Sequence, residues 1–172
     1  MTNAPVRAFW CEGTRSEILV DGETTGGAFA LLEELLPAAS GPPLHAHPEA
    51  ETFVVRAGAL RLWVFEPDEV PEPIETWDER MLRRGVLRVT GESVHVPSEH
   101  PHCYRVEGAS TARVLVVSAP AGLERWTREF GVPAPGPGLP PEGATPDVPR
   151  DRVVAFARTV GVRRLGPPAP AG

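Results

Sequence analysis

Apolar residues fall in short runs over the first two thirds of the chain, divided by clusters of Gly, Pro, Asp and Ser. That is the spacing of strands and turns. Val6-Arg7-Ala8-Phe9-Trp10 and Ile18-Leu19-Val20 predict two short strands, and Asp21 to Gly27 a loop. Thr52-Phe53-Val54-Val55-Arg56 and Leu60-Arg61-Leu62-Trp63-Val64-Phe65 read as a hairpin hinged at Ala57-Gly58-Ala59. Leu82 to Val89 resumes strand character with an interruption at Gly85, and short strands follow at Ser93 to Pro97 and His102 to Val106. Thr111 to Ser118 is nearly all apolar, as in the middle of a sheet. The period then changes. Leu123, Trp126 and Phe130 share one helical face, and Asp151 to Val160 predicts a second helix. In that helix Val153, Val154, Phe156, Ala157 and Val160 line one side, and Gly161 marks the end. Gly131 to Pro149, with seven prolines, reads as a loop or extended linker, and residues 166–172 as a frayed end.

Ala28 to Leu36 is ambiguous. Its Ala, Leu and Glu content favours helix, yet Gly26-Gly27 and Pro37 leave room for only a short one. Many closely spaced strands followed by two helices give an all-β barrel or sandwich with helical trim. From Glu66 to Glu79 the chain carries seven acidic side chains and no basic one, which reads as a solvated excursion between strands.

Composition narrows the function classes. At 172 residues, 41% hydrophobic and 23% charged, the chain has the balance of one soluble domain. A formal charge of −6 argues against nucleic acid or an anionic membrane as partner. All seventeen basic residues are Arg and there is no Gln, so Arg abundance reflects codon usage and carries little functional information. The amino terminus shows no signal-peptide pattern and no apolar run is long enough to cross a bilayer, so a cytoplasmic location is expected. Cys11 and Cys103 are expected to be free thiols, with Cys103 a small packed residue.

The chemistry gathers at Leu44-His45-Ala46-His47-Pro48-Glu49-Ala50-Glu51. Histidines at i and i+2 diverge on a helix, but on a strand they share a face about 6–7 Å apart, within joint reach of one ion. Glu51 joins them only if the chain turns after His47, since straight strand from His45 would span about 20 Å. Pro48 stands where such a turn starts. The other three histidines, His95, His100 and His102, crowd into one later segment.

These residues resemble the two sequence motifs of the cupin superfamily. His45-x-His47, three residues, Glu51, six residues and Gly58 match the first motif without adjustment. Gly91, five residues, Pro97 and His102 match the second, with Glu99 in place of its glycine and Val106 in place of its asparagine. The flanks, including Gly-Gly-Ala-Phe before the third run and the closing Arg-Arg-Leu-Gly-Pro-Pro, are similar to single-domain cupins related to quercetin dioxygenases.

The resemblance implies a cupin-type double-stranded β-helix, a jelly-roll barrel with short C-terminal helices, in which Ala28 to Leu36 is a strand. Residues 1–130 would form the barrel with its first trailing helix, and 131–172 a Pro-rich linker and a helix packing on it. It implies His45, His47, Glu51 and His102 as ligands of one divalent metal ion. Such a donor set suits Fe, Ni, Mn, Co, Cu or Zn alike. The implied activity is a metal-dependent dioxygenase on a small phenolic or polyketide-type substrate, with dioxygen as co-substrate and Glu51 as catalytic base. A non-redox cyclase, isomerase or epimerase and a non-catalytic binding cupin are the alternatives. A homodimer is expected, because an exposed edge strand needs covering.

Around that site, Tyr104 shares the parity of His102, and His100 could reach the barrel mouth. Phe53, Trp63 and Phe65 would supply an apolar lining if they face inward, which periodicity alone does not decide. Glu49 reads as a solvated turn residue, and His95 as structural or solvent-facing.

Overall fold

A computed structural model describes residues 7–170. Its elements in chain order are β1 (Ala8–Cys11), β2 (Thr14–Val20), β3 (Ala30–Leu36), β4 (Pro43–Ala46), β5 (Ala50–Ala57), β6 (Ala59–Val64), α1 (Glu79–Leu82), β7 (Val86–Val89), β8 (Ser93–Val96), β9 (His102–Val106), β10 (Ala112–Ala119), α2 (Leu123–Phe130), β11 (Val132–Pro133), α3 (Arg150–Val160) and β12 (Arg163–Pro168). They make two antiparallel sheets, ordered β11-β1-β2-β3-β10-β5-β8 and β12-β4-β9-β6-β7. The all-β expectation holds. Val6 of the first expected strand lies outside the described residues.

Alternation decides which face is which. Phe53 and Val55 of β5, Val114 and Val116 of β10, Leu60 and Leu62 of β6 and Val106 of β9 form one buried cluster between the sheets. Leu44, Ala46, Trp63, Phe65 and Cys103, at the opposite parity on β4, β6 and β9, form a second cluster on the outer side of the smaller sheet. Val70, Ile74, Trp77 and Met81 pack onto that outer cluster. The acidic excursion is therefore anchored by its few apolar residues, and it covers the back of the sheet.

Four expectations need correcting. Residues 52–65 are not a hairpin: β5 pairs with β10 and β8, whereas β6 pairs with β9 and β7. One corner residue, Gly58, carries the chain from one sheet to the other at φ +81°, and a Cβ there would lie 2.9 Å from the Thr111 carbonyl oxygen. Only glycine meets both conditions. The run from Leu82 is not all strand, because Asp78 caps the single turn α1 before Gly85 and β7 begins at Val86. In α3, Val154 is exposed, and the helix packs through Phe156 against Trp126 and Phe130.

The tail is the fourth correction. Residues 166–168 are not frayed: they belong to β12, which pairs with β4, and Leu165 is buried in the outer cluster. Residues 171–172 lie outside the described residues. The Pro-rich stretch is also tied down, since β11 pairs with β1 and Gly136 accepts a hydrogen bond from Arg15. Among the described residues no helix is long and apolar enough to cross a membrane.

Candidate metal centre

His45 on β4 and His102 on β9 are direct cross-strand partners, so both imidazoles enter the space between the sheets side by side. His47 follows β4, the chain bends at Pro48 and Glu49, and Glu51 is the second residue of β5. The expected strand, bend and strand are all present. Ring centroids are 4.4 Å apart for His45–His102, 4.9 Å for His47–His102 and 5.4 Å for His45–His47. One ligating nitrogen from each ring lies within 4.8 Å of the others, so the three form a group that could hold a metal ion.

The Nδ1 atoms explain how the rings are aimed. His45 Nδ1 donates to the Pro43 carbonyl at 2.8 Å, and His102 Nδ1 donates to the His100 carbonyl at 2.8 Å. A carbonyl only accepts, so these contacts place the proton on Nδ1 and leave the Nε2 lone pair free. His47 Nδ1 lies 3.3 Å from a Glu49 oxygen, an ion-pair contact rather than a well-formed hydrogen bond. On the inner side, a Glu51 oxygen is 3.2 Å from His102 Nε2 and 3.5 Å from His47 Nε2.

Burial tunes these groups in opposite directions. Desolvation, helped by two neighbouring imidazoles, pushes His45 down to about 3, so it stays neutral. Desolvation acts downward on His47 too, but the carboxylates of Glu49 and Glu51 outweigh it and carry His47 up to about 10. Burial acts to raise Glu51, yet the His102 and His47 rings set against its carboxylate hold the carboxyl well below the usual range. The donor set passes the test for a divalent cation: a buried carboxylate and imidazoles with outward Nδ1 protons are what such an ion requires.

Other expected site residues divide. Phe53 and Tyr104 do face inward, their rings 5.7 Å apart edge to face. Trp63 does not reach this space. It sits on the outer face of β6, where its Nε1 donates to the Leu82 carbonyl, because adjacent strand positions point to opposite sides. The His100 side chain turns toward Glu66 at 3.2 Å, and its contribution near the site is the backbone carbonyl that fixes His102. His95 is exposed and bonds Thr52, as expected. Glu49 is not a solvated turn residue: its carboxyl is half-buried beside His47 and packs against Gly122. Glu99 accepts φ +63° where the motif has glycine, and its N–H donates to the His47 carbonyl at 2.9 Å.

Two inward-facing polar residues escaped sequence reasoning. Ser118 is fully buried opposite Glu51 in register, and its hydroxyl has no hydrogen-bond partner. Glu34 stands on the inner face of β3, at the parity of Ala30, Leu32 and Leu36. An acid in an otherwise apolar alternating row was its available signal.

Two facing antiparallel sheets with this imidazole cluster between them make the cupin fold. An oxalate decarboxylase variant of Bacillus subtilis has the same fold, with a TM-score of 0.51 at 18% identity over 66% of this chain and 27% of that one. The polyketide cyclase RemF of Streptomyces resistomycificus is 22% identical over 69% of this chain and 79% of its own, with a TM-score of 0.49. A cupin-superfamily sugar phosphate isomerase from Silicibacter pomeroyi is 20% identical over 63% of this chain, with a TM-score of 0.46, and the chain spans 60% of its length. At such identities the likeness concerns the fold alone. No protein-family model matches the chain, and no curated protein sequence does.

Proposed function

We propose that the protein is a metal-dependent oxygenase of the quercetin-dioxygenase kind. Its substrate is a small phenolic or polyketide-type molecule bound at His45, His47, Glu51 and His102. The observation that carries the reading is the convergence of three imidazoles, each with Nδ1 turned outward, on one buried carboxylate. A divalent ion held there supplies Lewis acidity to a coordinated substrate oxygen and, when redox-active, a route to dioxygen. The chain's own groups do the rest. The Pro43 and His100 carbonyls hold two rings in one tautomer. Glu51, whose carboxylate lies beside His102 and His47, is the group we assign to take the proton of a substrate hydroxyl. Phe53 and Tyr104 offer an edge-to-face wall for an aromatic ring.

Metal analysis of the purified protein, combined with oxygen uptake against flavonols and aromatic polyketides, tests this. The expected result is one equivalent of a redox-active divalent metal and oxygen consumption with a phenolic substrate. A zinc-loaded protein that consumes no oxygen ends the oxygenase reading. Product formed without oxygen then favours a cyclase or isomerase, and ligand returned unchanged favours a binding protein. Metal retained by the His47→Ala, His102→Ala double variant ends the site assignment itself. We also read the protein as a homodimer, a reading supported by the edge strand β7, where Val86, Leu87 and Val89 are all exposed.

A further inference from the structure

β3 presents Ala30, Leu32, Glu34 and Leu36 to the space between the sheets. Ala30, Leu32 and Leu36 are fully buried, whereas Glu34 keeps part of its surface accessible. Glu34 is nevertheless a mid-sheet residue, for β3 is paired along both edges, with Glu34 opposite Val114 on one side and Ser16 on the other. His45 on β4 and Tyr104 on β9 are likewise partly accessible on strands paired at both edges. Mid-sheet side chains that point inward yet stay reachable border internal space, so the three line an opening between the sheets. Within it, Glu34 Oε1 accepts a hydrogen bond from the buried Ser16 hydroxyl at 3.1 Å.

Register measures the opening. Ala30 is level with Ser118 and, across β10, with Glu51. Glu34 is four residues further along β3, so the Glu34 and Glu51 backbones are offset by about 13 Å along the strands and about 10 Å across them. Their inward side chains close part of that gap, and the Glu51 charge reaches Glu34, while both carboxylates act on the Tyr104 phenol. A ligand that meets both the imidazole cluster and Glu34 is therefore elongated.

We propose that Glu34 is a second acid/base of this site, exchanging a proton with a hydroxyl at the far end of an elongated phenolic ligand whose near end meets the imidazole cluster. The assignment rests on the phenolic-substrate reading above. In one direction the ligand O–H gives its proton to the Glu34 carboxylate. In the other, the carboxylic acid returns that proton to the ligand oxygen, and no electrons are transferred.

The groups facing Glu34 suit it to this task. They are Ser16 from β2, Cys11 and Glu12 from β1 and its turn, Glu51 from β5 and Tyr104 from β9. Burial first, and then the negative charge of Glu51, raises the carboxyl to about 7, with the Ser16 hydrogen bond opposing and no cation among the groups that act on it. A carboxyl in that range holds and releases protons near neutral pH.

The test uses zinc-loaded protein, which is redox-inert, and quercetin as the probe, whose absorbance reports its ionisation. Glu34→Gln is expected to keep the parent zinc content, bind quercetin about tenfold more weakly and lose the pH dependence of binding between about pH 5.5 and 8. Glu34→Asp is expected to restore the pH dependence with weakened binding. Parent affinity and parent pH dependence in Glu34→Gln would overturn the assignment alone. A parent protein that takes up no zinc overturns the metal centre, and one that takes up zinc but binds no quercetin overturns the phenolic reading; the Glu34 assignment falls in either case. If Glu34→Gln does not reach the parent zinc content, Glu34→Asp decides, and unchanged quercetin binding in that variant overturns the proposal.

Discussion

A carboxyl in a row of buried aliphatic side chains costs stability whenever it ionises, and Glu34 on β3 is such a group. Its folded-state value, raised from 4.5 to about 7, fixes the sign of the effect. Below about pH 4.5 it is neutral in both folded and unfolded chains. Between 4.5 and 7 the unfolded chain ionises first, so stability falls as pH rises, and above 7 the full penalty applies. Glu34→Gln removes the penalty. Urea unfolding should show this variant close to the parent at about pH 4.5 and more stable by about 1–3 kcal/mol at about pH 8. A stability difference that does not change with pH would refute the buried-acid description. Other residues at this scale were legible from parity alone. His45 and His47 stand two apart about Ala46, the last residue of β4, and so share a face, and the bend at Pro48 admits Glu51. Trp63 was not legible, because alternation says that neighbours diverge and leaves open which of the two faces inward.

At the scale of elements, local preference and burial point different ways in β3. Its helix-forming residues differ from strand-formers by less than about 1 kcal/mol each, whereas burying one leucine contributes about 1.5–3 kcal/mol. With Leu32 and Leu36 fully buried and both edges of β3 paired, the strand wins. The same comparison applies to β12. Arg163-Arg164-Leu165-Gly166-Pro167-Pro168 has no alternating pattern to announce a strand, yet its edge pairs with β4 and Leu165 enters the outer cluster. Arg164 lies directly opposite His45, so β12 steadies the strand that carries one imidazole. Leu165→Ala should destabilise the protein by about 2–4 kcal/mol and also weaken zinc retention against a chelator. Lost stability with unchanged zinc affinity would mean that β12 supports the fold and not the site.

For the molecule as a whole, the two sheets are closed by segments far apart in sequence. The larger sheet takes β11 at one edge and β8 at the other, and the smaller takes β12 and β7. Of these four edges, β7 exposes apolar side chains on both faces. If β7 is the contact between two copies, Leu87→Glu should shift the protein from dimer to monomer in sedimentation at micromolar concentration, with its metal content unchanged. A parent protein that sediments as a monomer removes the dimer reading. The acidic excursion, meanwhile, carries its negative charge on the solvent side of a layer anchored by Val70, Ile74 and Trp77. Seven acidic side chains in one stretch thus describe a surface, and the few apolar residues among them describe the attachment.

The sequence by itself pointed to an address for a metal site, and not to the reaction carried out there. Histidine spacing and strand parity are local properties, and together with the resemblance of the two motifs to cupins they offered His45, His47, Glu51 and His102 as candidate ligands before any contact was known. Tertiary structure alone decided three other matters. Sheet membership of β5 and β6 depends on which distant strands pair with them, and the inward face of Phe53 and the outward face of Trp63 depend on which sheet lies opposite. The presence of Glu34 in the same internal space as the imidazoles depends on how two sheets stack. Each of these is a long-range pairing whose energy comes from surface buried between segments tens of residues apart, and no local pattern along the chain records it.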